Sequence, residues 1–160
     1  MRFNDSVVIR LLACAVMALS FQAHAATAQD PVKVNLQVFK VASVNGKESL
    51  VQSKTVKPGE TLEYRATYSN VSKKNISNLA ATLPVPKGME FVSQSAKPAA
   101  VDASVDGQLF APVPLMRKKL SGGEEPVPMS EYRALRWKSV DLPAGKSYEV
   151  SARMRVSAAN

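Results

Sequence analysis

The chain has 160 residues, a formal net charge of +8, one cysteine and one histidine. A single thiol excludes a disulfide framework within the chain. A domain of this length buries about two-thirds of its unfolded surface and stands on a hydrophobic core alone.

Residues 1–25 read MRFNDSVVIRLLACAVMALSFQAHA. Arg2 and Arg10 make a basic start, residues 11–21 an apolar run too short to span a bilayer comfortably, and Ala23-His24-Ala25 a small-x-small cleavage site. That is the layout of a secretory signal peptide cut after Ala25. Two alternatives are a retained anchor and acylation at Cys14. Most of the apolar run follows Cys14, whereas a lipoprotein needs it before the cysteine. Cleavage removes both Cys14 and His24. The exported chain, periplasmic or secreted, then has neither thiol nor imidazole and no transmembrane segment.

After a short linker at 26–31, hydrophobic residues recur with a period of two, which predicts half-buried strands. Val32, Val34, Leu36 and Val38 form the first apolar row. Asn45-Gly46 predicts a two-residue hairpin, because both turn positions need positive φ, with residues 49–56 as the returning strand. Pro58-Gly59 suits the centre of a type II turn. The stretch after it, LEYRATYS, puts Leu62, Tyr64, Ala66 and Tyr68 on one face. Leu79, Ala81 and Leu83 continue the pattern, and Met89 with Phe91 follows a PVPKG turn. Asp106-Gly107 predicts a further hairpin leading to Leu109 and Phe110.

Residues 111–131 break the alternation with prolines and Gly122-Gly123, a long excursion with one short strand near 113–118. Leu135 and Trp137 resume the alternation. After LPAGK come Tyr148, Val150, Ala152, Met154 and Val156. The whole predicts one all-β domain over 32–157, an antiparallel sandwich of seven to nine strands with a tail at 158–160. Tyr64, Tyr68, Phe91, Trp137 and Val150 are expected in its core.

The stretch VKPGETLEYRATYSNVSKKNISNLAATLPVPKGMEFV resembles the signature of the conserved-repeat domain of bacterial surface proteins, the domain of unknown function numbered eleven. SVDGQLF and YRALRWKSVDLPAGKSYEVSARMRV resemble its later blocks. The resemblance covers residues 32–156 and implies an immunoglobulin-like sandwich with no catalytic residues to carry over. Family members are often tandem repeats in long surface proteins, whereas this chain carries one copy.

For chemistry, the absence of histidine and cysteine from the exported chain excludes the usual triads and thiol nucleophiles. Ser72-Lys73 and Ser121 near Lys119 are chance pairings in lysine-rich loops. Asp102 and Asp106 are too sparse for a calcium loop. No cofactor is expected, and the chain reads as non-enzymatic. Asn70-Val71-Ser72 and Asn75-Ile76-Ser77 are sequons, read as polar turn residues in a bacterial envelope.

The basic residues remain. If the last two long strands pair as a hairpin around 143–145, Trp137 lies opposite Val150, and Lys138 meets Glu149. Arg136, Arg153 and Arg155 then form an outer basic strip. Arg117, Lys118 and Lys119 form a second cluster on the excursion. The expected partner is another envelope or surface protein, contacted through the excursion or a sheet edge. The alternative is a polyanion, an acidic polysaccharide or lipopolysaccharide, on the basic strip. Nucleic acid is disfavoured, because no exposed aromatics interleave the cations.

Overall fold

The structure, a computed structural model, describes residues 30–158. The signal peptide read at 1–25 lies outside the described residues, as do the linker to residue 29 and residues 159 and 160.

The described chain is all-β, with eleven antiparallel strands, of which nine form a two-sheet sandwich. The eleven are β1 (Val32–Val44), β2 (Lys47–Val51), β3 (Thr61–Asn70), β4 (Ile76–Pro84), β5 (Met89–Phe91), β6 (Asp102–Ser104), β7 (Ala111–Pro112), β8 (Met116–Lys118), β9 (Glu124–Pro126), β10 (Ala134–Leu142) and β11 (Ser147–Val156). One sheet runs β2-β1-β3-β11-β5, the other β4-β10-β6-β7, and β8 pairs β9 apart from both.

The turns follow from their residues. Asn45 at φ 53° and Gly46 at φ 74° make the tight β1–β2 connection, with Val44 opposite Lys47; left-handed φ at both positions matches the twist of the flanking strands. Gly59 at φ 83° closes the turn before β3, where the Glu60 N–H bonds to the Lys57 carbonyl at 3.1 Å. The strand returning after Gly46 is shorter than expected, ending at Val51. Its would-be continuation toward Val56 has no ladder partner among the described residues.

β3 lies at the centre of the larger sheet. It pairs with β1 from Val32 opposite Asn70 to Lys40 opposite Leu62, and with β11 from Ser147 opposite Ser69 to Arg155 opposite Thr61. Leu62, Tyr64, Ala66 and Tyr68 turn inward and are buried, as are Phe91, Trp137 and Val150. Phe91 stacks on Tyr132 with ring centroids 6.1 Å apart. Trp137 donates its indole N–H to the Pro98 carbonyl at 2.7 Å, meeting the need of a buried indole for an acceptor.

Two expectations are corrected. β10 and β11 do not pair; they belong to opposite sheets, and residues 143–146 carry the chain from one to the other. Trp137 and Val150 therefore face the core from different layers, and Lys138 pairs with Asp102 rather than Glu149, which meets Arg65. Period two fixes which face a residue occupies, not which strand lies beside it. The apolar row of β1 is also less covered than its alternation implies. Val34, Leu36 and Val38 lie on the same face as Tyr68, Ala66 and Tyr64, yet remain 53%, 47% and 40% exposed. The edge strand β4 packs over β3 and β11, so β1 and β2 project past it.

Candidate functional site

The basic residues fall into three separate places. Arg153 and Arg155 lie on β11. Arg153 bonds Glu48 through Nη1 at 2.9 Å and Glu63 through Nε at 3.3 Å. The Arg153 hydrogen bond draws the Glu48 carboxyl below its ordinary range, and the same bond holds the guanidinium above its own. Arg155 meets Glu90 at 3.0 Å. Arg136 lies in the other sheet, so the three arginines form no common strip. Each faces a carboxylate.

The excursion is more ordered than a proline-rich loop suggests. β8 and β9 pair from Met116 opposite Pro126 to Lys118 opposite Glu124. Leu115 and Val127 are buried at the base. There the Val127 N–H bonds to the Leu115 carbonyl at 2.8 Å, and the Leu115 N–H bonds to the Tyr132 hydroxyl at 2.9 Å. Arg117 braces one side, reaching Glu125 at 2.9 Å and Glu131 at 3.0 Å. The hairpin stands on an anchored base and presents Lys118, Lys119 and Leu120, all exposed. Neither lysine forms an ion pair among the described residues, and Leu120 is fully open to solvent.

A cavity of about 780 Å³ opens beside this base. Phe91, Ala96, Val101, Val113 and Met129 supply apolar wall, and Asp102, Arg136 and Lys138 supply the charge. Strand register brings the charged groups together, with Arg136 opposite Asp102 and Lys138 two residues further on the same face. Asp102 is buried. Lys138 Nζ stands 2.8 Å from its Oδ2, and Arg136 Nη2 stands 3.8 Å away. The Arg136 guanidinium lies over Phe110 at 3.9 Å from the ring centroid, a cation–π contact. Its Nε is buried and has no hydrogen-bond partner.

Asp102, Lys138 and Phe110 escape a sequence reading of this site. Asp102 stands out in the sequence only beside Asp106, which is spent elsewhere: its Oδ1 accepts from the Gln108 N–H at 2.8 Å and the Leu109 N–H at 2.9 Å. The backbone N–H bonds draw its carboxyl below the usual range. Only the β6–β10 register joins Asp102 to Arg136, and no local motif encodes it.

The sequon asparagines are structural. Asn70 is 2% exposed. Its Nδ2 donates to the Lys74 and Leu142 carbonyls at 2.8 and 2.9 Å. Its Oδ1 accepts from the Ser72 N–H at 3.0 Å and hydroxyl at 2.8 Å. Asn75 Oδ1 accepts from the Ala144 N–H at 3.1 Å.

Among the described residues no three histidine, cysteine, aspartate or glutamate side chains gather as a metal-binding group. No helix among them is long and apolar enough to cross a membrane. Comparison with known proteins returns nothing: no family model, curated protein or solved structure matches the chain.

Proposed function

We propose that the chain is an exported, non-enzymatic interaction module that contacts another envelope or surface protein through the β8–β9 hairpin. The hairpin carries the reading. A braced base holds one exposed leucine between two uncompensated lysines on one side and Gly122-Gly123 on the other. Ordering such a tip at a partner costs little conformational entropy, because the base is already fixed. The matching surface is an acidic rim around an apolar pocket. The N-terminal leader supports export. The order of the turn and strand blocks supports an immunoglobulin-like relative of the conserved-repeat surface domain.

The polyanion alternative needs uncompensated charge at Arg136, Arg153 and Arg155 on one surface. Arg153 and Arg155 are paired with Glu48, Glu63 and Glu90, and Arg136 lies in the other sheet, which favours the protein partner instead.

The test places a photo-crosslinking residue at position 120, or at 146 as a control, in the native host. One discrete protein adduct is expected from position 120. It should be lost when Lys118→Ser and Lys119→Ser are combined, with the melting temperature unchanged. Equal labelling from both positions, or an adduct indifferent to the lysines, overturns the reading. Salt-sensitive retention on a heparin-like support that depends on Arg153 and Arg155 points to the polyanion instead.

A further inference from the structure

We propose that the cavity beside β6 and β10 binds a small amphiphilic monocarboxylate, its apolar body against the walls and its carboxylate on Arg136 and Lys138. This site is distinct from the hairpin tip, and neither proposal depends on the other.

Four observations carry it. At about 780 Å³ the cavity lies within the range of small-molecule sites, and such sites pair apolar walls with a few convergent polar groups. Two cations share a single buried carboxylate, so the cluster keeps one positive charge that a single anionic head group balances. Lys138 is the closer partner of Asp102, at 2.8 Å against 3.8 Å for Arg136, leaving Arg136 the less satisfied cation. Phe110 holds the Arg136 guanidinium over its ring, 3.9 Å from the centroid. An arginine restrained in this way loses less freedom when its N–H groups meet a carboxylate.

The walls select against a compact hydrated anion, which gains nothing from Phe91, Val101, Val113 or Met129. An amphiphile uses both halves of the site.

Calorimetric titration of the folded chain tests the proposal, with decanoate as probe below its micellar concentration and decanol and decylamine as neutral and cationic controls. Decanoate should bind saturably, one per chain, with decanol at least about tenfold weaker and decylamine silent. Arg136→Gln and Lys138→Gln should each weaken decanoate about tenfold, the size of one lost charge-assisted contact. Ala100→Trp should abolish binding; Ala100 is exposed and lines the cavity, so this variant narrows the opening without repacking the core. It decides the matter if the charge variants unfold. No binding of decanoate, equal binding of decanol or decylamine, or undiminished binding to Ala100→Trp overturns the proposal.

Discussion

The hydroxyl of Tyr68 caps the backbone of Thr82, donating to its carbonyl at 2.6 Å and accepting from its N–H at 2.8 Å. Thr82 lies on β4, the edge strand of the smaller sheet. Pro84, two residues on, has no N–H to offer β10, so this parity turns its backbone groups toward the free edge. One side chain from the opposite sheet therefore closes a position where another strand could add.

Tyr68→Phe should leave both Thr82 groups without this partner and cost about 1–2 kcal/mol. Urea denaturation would read it as a lower midpoint at unchanged slope. A variant as stable as the parent would show that water replaces the hydroxyl without loss. The opened edge should also raise concentration-dependent association, followed by light scattering.

Alkaline pH should weaken the fold through the same residue. Burial pushes the Tyr64 and Tyr68 phenols above the ordinary value of 10.0. The folded state thus holds these protons more tightly than the unfolded chain. Their contribution is complete below about pH 10 and is lost as pH rises through the folded values. Urea midpoints should decline across that window, and Tyr68→Phe should flatten the decline. An unchanged slope would assign the loss to other groups.

Asn70→Ala should be among the most damaging single substitutions. It strands the Leu142 and Lys74 carbonyls and the Ser72 N–H, and it empties a site that is 2% exposed. The expected loss is about 2–4 kcal/mol, from several buried groups losing partners at once. Thermal melting of the purified chain measures it. A shift no larger than that of an exposed substitution such as Lys146→Ala would contradict the role assigned to Asn70.

Arg153→Ala should affect stability and leave polyanion binding nearly unchanged. Glu63 is buried and would keep only Arg65, at 2.7 Å, so a loss of about 1–3 kcal/mol is expected. Arg155→Ala, at an exposed pair, should cost under ~1 kcal/mol. The depressed Glu48 carboxyl adds a sign. Its share of stability is present above the ordinary value of 4.5 and lost as pH falls through the folded value. Arg153→Ala should remove that acid-side loss. Denaturation at two pH values and a heparin-support gradient separate the two effects.

Turns and faces were legible in the sequence because both are local. Asn45-Gly46 and Pro58-Gly59 need particular φ values, and alternation alone placed Tyr64, Tyr68, Trp137 and Val150 inward. Partnership was not legible. β10 and β11 are adjacent in sequence, yet they enter different sheets, because a four-residue connection can turn back or cross over. The exposure of Val34, Leu36 and Val38 depends on where β4 stops, which nothing in β1 encodes. Residues 111–131 looked irregular because their order comes from a few anchors, Leu115, Val127 and Tyr132, rather than from a period. The cavity was hidden for the same reason. Asp102 and Arg136 are neighbours only through the β6–β10 register.

The placement of β11 has a consequence in time. The last strand of the fold lies between β3 and β5, at the inner side of its sheet rather than at the rim. A chain made from its N-terminus can form β1, β2 and β3 early, but β3 then offers a bare edge and an uncovered row of Leu62, Tyr64, Ala66 and Tyr68. Only residues 147–156 complete that layer. Synthesis must therefore reach residues 147–156 before the larger sheet is complete, and a chain cut short before Ser147 leaves the β3 edge open to other strands.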